Sequence, residues 1–256
     1  LKSNNNENKE IKNIIAVASC KGGVGKSTIA LNVACELAKK YKVGLLDLDI
    51  YGPSLPTMIG NLSQPQFKDN KLIPIEKYGI KFMSFGFINN ENSPTIWRGP
   101  MVARMTKQFF DNVSWGELDY LIIDLPPGTG DAQLTLAQSS KLSGSIIIST
   151  PQDIALIDAR KGINMFHKVG VPVLGIVENM SYFICETCNT RHEIFSNGGA
   201  KKEASKFNTP FLGEIPLDKN LRIHSDEGQP VCITEPDSSI SKIYLSIAEN
   251  INTNSK

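Results

Sequence analysis

The residues best suited to chemistry form a glycine-rich loop at positions 20–28, with the sequence C-K-G-G-V-G-K-S-T. Glycine tolerates backbone angles that other residues avoid, so successive N–H groups can turn toward a polyphosphate at a helix N-terminus. Lys26 is expected to place its ammonium group against the β- and γ-phosphates, and the Ser27 hydroxyl to bind magnesium. The predicted nucleotide contacts in this loop are Cys20, Lys21, Gly22, Gly23, Val24, Gly25, Lys26, Ser27 and Thr28.

The loop lies in the sequence context that such a site requires. An apolar, β-rich run at 14–18 precedes it, and a helical pattern at 29–38 follows it. Cys20 stands where the general pattern has its first glycine, which we interpret as a tolerated variant because three glycines and both lysines remain. The context predicts a strand, a phosphate-binding loop and a helix.

Carboxylates follow two other apolar runs. Asp124 closes the run at 121–123, where a phosphate-binding loop protein needs a carboxylate to hold magnesium through its water shell. Asp49 follows the run at 43–47 and is expected to polarise the attacking water or to contact the outer shell of the metal. Asp47 is the weaker candidate, more typical of a structural residue. No histidine is placed as a general base, since His167 is predicted on a helix surface and His224 in a loop.

The segment after Asp124 reads L-P-P-G-T-G-D. Glycines beside a γ-phosphate can reorient when that phosphate leaves, so the segment is interpreted as a nucleotide-sensing switch. The alternative is a rigid proline turn.

Cys185 and Cys188 form a C-x-x-C pair far from the glycine loop in sequence, within a loop at about 180–197. Such a turn directs two thiolates at one soft metal, but a single pair supplies half of a tetrahedral shell. Two pairs could meet at the two-fold axis of a dimer around an iron-sulfur cluster, or His192 could join the pair in a zinc site within one chain. A redox dithiol and a pair without a metal are further alternatives.

The remaining sequence alternates between apolar runs and helical patterns. Strands are predicted at 80–85, 118–123, 145–150, 173–177 and 211–215, and helices at 101–110, 131–139, 154–168, 200–206 and 238–251. Continuous apolar strands separated by helices predict an α/β fold, a doubly wound, mostly parallel sheet with helices on both faces. Ligands of such sheets bind beyond the carboxyl ends of the strands, where the glycine loop, Asp49 and Asp124 all fall.

Length and composition bound the organisation of the chain. Its 256 residues fit a polar tail or linker at 1–13 followed by a single domain at 14–256. The net charge of +1, with charges intermixed, indicates neither a nucleic-acid nor a membrane partner. An odd count of five cysteines and the lack of an apolar leader or span predict a cytoplasmic protein.

The order of motifs resembles that of the Mrp/ApbC family of iron-sulfur cluster carrier ATPases. The motifs are the glycine loop, D-L-D-I-Y-G-P-S from Asp47, W-R-G-P-M from Trp97, D-L-P-P-G-T-G-D from Asp124, T-P-Q from Thr150 and E-N-M-S-Y-F-x-C-x-x-C from Glu178. The likeness covers residues 14–251.

This resemblance implies a deviant Walker loop, P-loop ATPase related to MinD and ParA proteins, acting slowly on ATP as a homodimer. Lys21 is then expected to reach the nucleotide of the opposite subunit, and Asn179 to lie near the adenine. Cys185 and Cys188 are expected to bridge a labile 4Fe-4S cluster between subunits, received from a cluster-assembly scaffold and delivered to apo iron-sulfur proteins. Arg98 in the R-G-P segment matches the family, and its expected physical role is an ion pair.

Two other functions remain open at this point. A MinD- or ParA-like positioning ATPase without metal cargo needs a membrane-targeting helix or a basic DNA-binding surface, which this composition disfavours. A zinc-stapled, nucleotide-dependent scaffold would use the two cysteines only to hold a dimer together.

Overall fold

The structure, a computed structural model, describes residues 11–88, 99–139, 141–196 and 198–255. Its strands are β1 (Ile11–Ala18), β2 (Val43–Asp47), β3 (Phe67–Lys68), β4 (Lys71–Leu72), β5 (Ile75–Lys77), β6 (Ile80–Ser84), β7 (Leu118–Asp124), β8 (Gly144–Ser149), β9 (Val173–Glu178), β10 (Phe183–Ile184), β11 (Arg191–His192) and β12 (Phe211–Glu214). Its helices are α1 (Lys26–Ala38), α2 (Leu55–Met58), α3 (Gly99–Asp111), α4 (Asp131–Ser139), α5 (Asp153–Lys168), α6 (Gly199–Lys206), α7 (Lys219–Asp226), α8 (Val231–Thr234) and α9 (Ser239–Asn254).

A central sheet carries the fold, with strands in the order β12-β9-β8-β1-β7-β2-β6-β5. In the described part of the chain its neighbouring pairs are parallel, except that the edge strand β5 runs antiparallel to β6. Every residue of β2 and of β8 is buried. Because successive side chains of a strand point to opposite faces, both faces of the sheet must be covered. The predicted doubly wound, mostly parallel α/β fold is confirmed.

The strand register brings the predicted carboxylates to one edge of the sheet. β7 lies between β1 and β2, so Asp124 pairs in register with Val17 on one side and with Asp47 on the other. The glycine loop follows β1 directly, which places it at the same edge. The parallel arrangement thus collects residues that are far apart in sequence.

Several elements differ from the sequence prediction. β1 begins at Ile11, so the predicted tail at 1–13 extends too far: Ile11 is buried and pairs with Leu118, and Lys12 forms an ion pair with Asp119 at 2.8 Å. His224 lies in α7 rather than in a loop, with its Nε2 3.0 Å from a Glu235 oxygen. Trp97 and Arg98 lie outside the described residues.

An ion-pair cluster joins α5 to α6, the helix that follows the loop carrying Cys185 and Cys188 (called the cysteine loop). The Arg160 guanidinium donates two hydrogen bonds to the buried Glu203 carboxylate, at 2.5 and 2.8 Å, and Lys206 donates a third at 2.8 Å. The Arg160 hydrogen bond, with help from Lys206, lowers the pKa of Glu203 to about 2.

Acid is therefore expected to weaken this helix contact in a defined pH window. A depressed pKa stabilises the fold above the ordinary carboxyl value of 4.5, and that contribution is lost as the pH falls toward 2. Glu203→Gln should lower the free energy of unfolding by about 1–3 kcal/mol at neutral pH. Urea titrations of both proteins from pH 7 to pH 2 should show this difference shrinking below pH 4.5; a constant difference would contradict the assignment.

Candidate phosphate-binding and thiol site

The glycine loop connects the end of β1 to the first residue of α1. Gly23 and Gly25 adopt left-handed backbone angles, with φ of 78° and 80°. A β-carbon at Gly25 would overlap the side-chain nitrogen of Asn179, whereas the space around Gly22 and Gly23 is open. The Asn179 side chain donates a hydrogen bond to the Val24 carbonyl at 2.8 Å. Glycine is thus required at Gly25 for two reasons, backbone angle and close approach.

Lys26 and Asp124 form a buried ion pair beneath this loop. The Lys26 ammonium bonds the Asp124 carboxylate and lies 3.4 Å from the Ser27 hydroxyl. Burial raises the pKa of Asp124, and the Lys26 cation opposes that shift. A lysine, a hydroxyl and a carboxylate therefore meet where the sequence predicts phosphate and magnesium binding, and their oxygen donors fit magnesium.

Asp47 and Asp49 both accept hydrogen bonds from backbone N–H groups near the end of β2. Asp47 is fully buried and accepts hydrogen bonds from the Asp49 N–H at 3.0 Å and the Ser84 hydroxyl at 2.9 Å. Burial, then the neighbouring Asp124, raises the pKa of Asp47 to about 7. Asp49 is half-buried and caps the next turn, accepting from the N–H groups of Tyr51 and Gly52 at 3.2 Å each. The geometry agrees with a structural Asp47, and the catalytic role of Asp49 stays a prediction.

Two adjoining cavities open above the loop. One, of about 470 Å³, is lined by residues 21–28 of the loop, Asp49 and Pro127, with the exposed Lys21 on its wall. The other, of about 560 Å³, is lined by Asn179, Phe183, Leu217 and part of α7. Both share Gly25, Thr28, Ser225 and Asp226. A cavity lined by the backbone donors of the glycine loop, beside a more apolar cavity, suits a phosphate chain attached to a planar base.

Helix α7 is a part of this site that the sequence prediction missed. It contributes Ser225 and Asp226 to both cavities, and Leu221 and Arg222 to the more apolar one. Leu221 is the buried side chain of α7, so hydrophobic periodicity gives little signal for it. The Asp218 side chain, which accepts from the Leu221 N–H at 2.7 Å, is an N-cap that could have indicated the helix.

The segment after Asp124 is held by backbone hydrogen bonds to β1 and to Ser19, the residue directly before the glycine loop. The Leu125 N–H donates to the Val17 carbonyl at 3.0 Å, and the Gly128 N–H to the Ser19 carbonyl at 2.9 Å. The Gln133 side chain donates to the Pro126 carbonyl. Pro127 of this segment lines the same cavity as the phosphate loop, and the movement of the segment during hydrolysis stays a prediction.

Cys185 and Cys188 lie in the turn of the β10–β11 hairpin. The Cys185 N–H donates to the Thr190 carbonyl at 3.0 Å, and the Asn189 N–H donates to the Cys185 carbonyl at 2.9 Å. Cys188 is exposed, and its pKa is lowered by hydrogen bonds with Thr190, first the 3.2 Å bond with the hydroxyl and then one with the backbone, and next by a hydrogen bond with Cys185. The turn therefore presents two neighbouring thiols at the surface, one of which ionises more readily than a free cysteine.

His192 does not complete a metal site with these thiols. It pairs with Phe183 in the hairpin, and within the described residues no three His, Cys, Asp or Glu side chains lie close enough to hold one metal ion. The expected alternative of a zinc site within one chain is thus not supported by the described part of the molecule.

The fold and the buried lysine–aspartate pair under a glycine loop define a P-loop nucleotide-binding protein. A family model described as "ParA: NUBPL iron-transfer P-loop NTPase" matches residues 10–252. The chain belongs to this family of iron-transfer NTPases, which confirms the family resemblance seen in its motifs.

Curated relatives carry concordant names. A protein of Arabidopsis thaliana named "Iron-sulfur protein required for NADH dehydrogenase, mitochondrial" is 52% identical over 94% of this chain and 78% of its own length. The "Iron-sulfur cluster carrier protein" of Escherichia coli K12 is 50% identical over 94% of this chain and 66% of its own length.

Solved structures share the fold of this chain. An ADP complex of a nucleotide-binding protein from Archaeoglobus fulgidus has a TM-score of 0.80 and 40% identity, covering 93% of this chain and 94% of that one. The cell division ATPase MinD of Pyrococcus furiosus has a TM-score of 0.70 over 94% of this chain and 98% of its own, and at 21% identity it supports the fold alone. In the described residues no helix combines the length and apolarity needed to cross a membrane.

Proposed function

We propose that this protein is a slow ATPase that carries a 4Fe-4S cluster between two copies of the chain and transfers it to apo iron-sulfur proteins. The cluster is cargo, received from an assembly scaffold and held by Cys185 and Cys188 of each subunit. The family membership supports iron-sulfur transfer in general; the homodimer, the cluster type and the direction of transfer are the proposal.

One observation carries this proposal. The two thiols lie in a single surface turn, and the described residues supply them with no third protein ligand. A tetrahedral thiolate shell needs four sulfurs, so a second identical turn across a two-fold axis is the simplest completion.

The positions of the side chains support the nucleotide roles that we propose. Lys26 would contact the β- and γ-phosphates, and Ser27 and Asp124 would hold magnesium, which neutralises charge on the phosphates when bound. Asp49, on the cavity wall, would orient the attacking water.

The rim and the base cavity have roles of their own. Lys21 is exposed at the rim and can extend toward a second subunit, while Asn179 lines the cavity proposed for adenine. The NADH dehydrogenase relative is named as mitochondrial, and a cytoplasmic location for this chain stays a prediction.

A double variant, Cys185→Ala/Cys188→Ala, is expected to lose the cluster completely. After anaerobic reconstitution, wild-type protein should hold about four iron ions and four sulfides per dimer, with thiolate-to-iron absorption, and should activate an apo acceptor. The variant should hold none, because no cysteine ligand remains in the turn. Iron, sulfide and zinc analysis, light scattering and acceptor activation measure these outcomes.

A matched control is Cys35→Ala/Cys232→Ala, which removes two buried thiols outside the turn. It should retain the cluster. If Cys185→Ala/Cys188→Ala transfers clusters to the acceptor as well as the wild-type protein does, the proposal is refuted. Stoichiometric zinc without iron in the wild-type protein would favour the zinc-stapled scaffold. ATP-dependent binding to vesicles or DNA without bound iron would favour a positioning ATPase.

A further inference from the structure

Glu178 is a buried carboxylate at the end of β9 that the nucleotide chemistry does not use. Its side chain accepts a hydrogen bond from the Ser181 hydroxyl at 2.6 Å and another from the Ala200 N–H at 2.7 Å. Ser181 lies just before the cysteine hairpin, and Ala200 lies just after the segment that returns from it. The two oxygens of one carboxylate therefore hold both ends of the loop that carries Cys185 and Cys188.

The helix that ends this loop depends on the contact. The N-cap of α6 is Gly198 in a left-handed conformation, without a side-chain cap. The N–H groups of a first helical turn need acceptors, and negative charge is favourable at a helix N-terminus. Glu178 supplies both for Ala200 from another element, so its loss leaves a buried donor unsatisfied.

The next residue connects the same strand end to the phosphate loop. Asn179 donates to the Val24 carbonyl, and the Asn179 N–H donates to the Ser149 carbonyl at 2.8 Å. The Ile215 N–H donates a hydrogen bond to the Glu178 carbonyl at 2.8 Å, which holds the end of β9 to the residue that follows β12. Asn179 thus contacts the phosphate loop, and the adjacent Glu178 holds the loop that carries Cys185 and Cys188.

We propose that Glu178 is a positioning residue for the cluster. Its carboxylate fixes the orientation of the thiol hairpin relative to the sheet, and through Asn179 it couples the hairpin to the phosphate loop. A change at Val24 on nucleotide binding is then passed through Asn179 to Glu178, its neighbour in the chain, and from the Glu178 carboxylate to the two ends of the loop that carries the thiols. This inference rests on the proposed function, because it assumes that the thiols hold the cargo.

Hydrogen exchange of the full-length, cluster-free protein tests the coupling directly. Wild type should protect Ala200 and residues 181–196, and magnesium with a non-hydrolysable ATP analogue should change that protection. In Glu178→Ala, exchange at these amides should be about 10-fold faster and should no longer respond to nucleotide, because a hydrogen bond to a charged group is lost. After reconstitution, cluster release to a chelator should also be about 10-fold faster.

Two further variants keep the inference falsifiable. In Glu178→Gln the amide oxygen can accept from Ala200 while the amide NH₂ donates to the Ser181 hydroxyl, so this variant should restore most of the nucleotide response. If Glu178→Ala does not fold, Ser181→Ala, which removes one of the two contacts, should give the same effect in weaker form. Glu203→Gln is the control for general loosening of α6, and should leave the nucleotide response of residues 181–196 in place.

The outcomes separate this inference from the proposed function. A nucleotide response that persists in Glu178→Ala would overturn the positioning role, whatever the cluster does. Glu178→Ala could lose its nucleotide response while the Cys185→Ala/Cys188→Ala variant still holds the cluster. That result would refute the cysteine cargo site and would still support the coupling between the phosphate loop and the thiol hairpin.

Discussion

Replacing Lys26 with alanine is expected to reduce ATP hydrolysis by about 10²- to 10³-fold, the range seen when one preorganised charge is removed from a reacting group. Lys26 is 6% exposed, and its ammonium lies between Asp124 and Ser27. Its removal takes a cation from the phosphate cavity and leaves the Asp124 carboxylate buried without its partner. Phosphate release under saturating magnesium and ATP measures the loss.

The same substitution should also affect stability. Breaking a buried ion pair by deleting one partner costs about 3–5 kcal/mol, reduced here to the extent that Asp124 takes up a proton. Lys40→Ala is the matched control, since Lys40 is an exposed lysine near the other end of α1, 3.4 Å from Glu249. It should change stability by less than about 1 kcal/mol and leave the rate unaltered. Hydrolysis by Lys26→Ala within threefold of wild type would exclude Lys26 from the reaction.

Much of the fold and of the phosphate site was predictable because the signals are local. Apolar runs identified most strands of the sheet, and parallel order places their carboxyl ends together. Asp124 could therefore be assigned to the glycine loop from its position after an apolar run, although it lies 98 residues from Lys26. Polar residues that follow apolar runs therefore indicate the location of the site from the sequence alone, before any side-chain contact is known.

The remaining parts depend on tertiary contacts that leave little trace in the sequence. β10 and β11 have two residues each, too few to show alternation. Helix α7 reaches the cavities only because the chain after β12 folds back over the glycine loop. Glu178 is separated from Ala200 by 22 positions, and a carboxylate after an apolar strand has no pattern that predicts a helix N–H as its partner.

The short segment from Glu178 to Phe183 contacts both the phosphate loop and the loop that carries the two cysteines. Glu178 holds the cysteine loop, Asn179 holds the phosphate loop, and Phe183 lines the apolar cavity two positions before Cys185. A left-handed residue, Met180 with φ of 53°, reverses the chain between them. A nucleotide can bias the thiol hairpin only through contacts that differ between two nucleotide states, and this segment carries the contacts that we propose for that coupling.

Substitution of Gly25 with alanine is expected to lower the free energy of unfolding by about 2–4 kcal/mol and to weaken nucleotide binding strongly. The added β-carbon meets the Asn179 side chain, and the φ of 80° is strained for any residue with a side chain. Relief requires Asn179 to leave the Val24 carbonyl, which alters the wall of the more apolar cavity. Chemical denaturation and calorimetric titration with ADP measure the two effects.

Gly22→Ala is the matched control, since nothing lies within 4 Å of its β-carbon position. Its free energy of unfolding should stay within about 0.5 kcal/mol of wild type. The double variant Gly25→Ala/Asn179→Ala should recover the part of the loss that comes from overlap and not the part that comes from backbone strain. If Gly25→Ala is as stable as Gly22→Ala, the Asn179 side chain moves away from the loop at little cost in free energy. The contact between Asn179 and Val24 would then be too weak to couple nucleotide binding to the thiols.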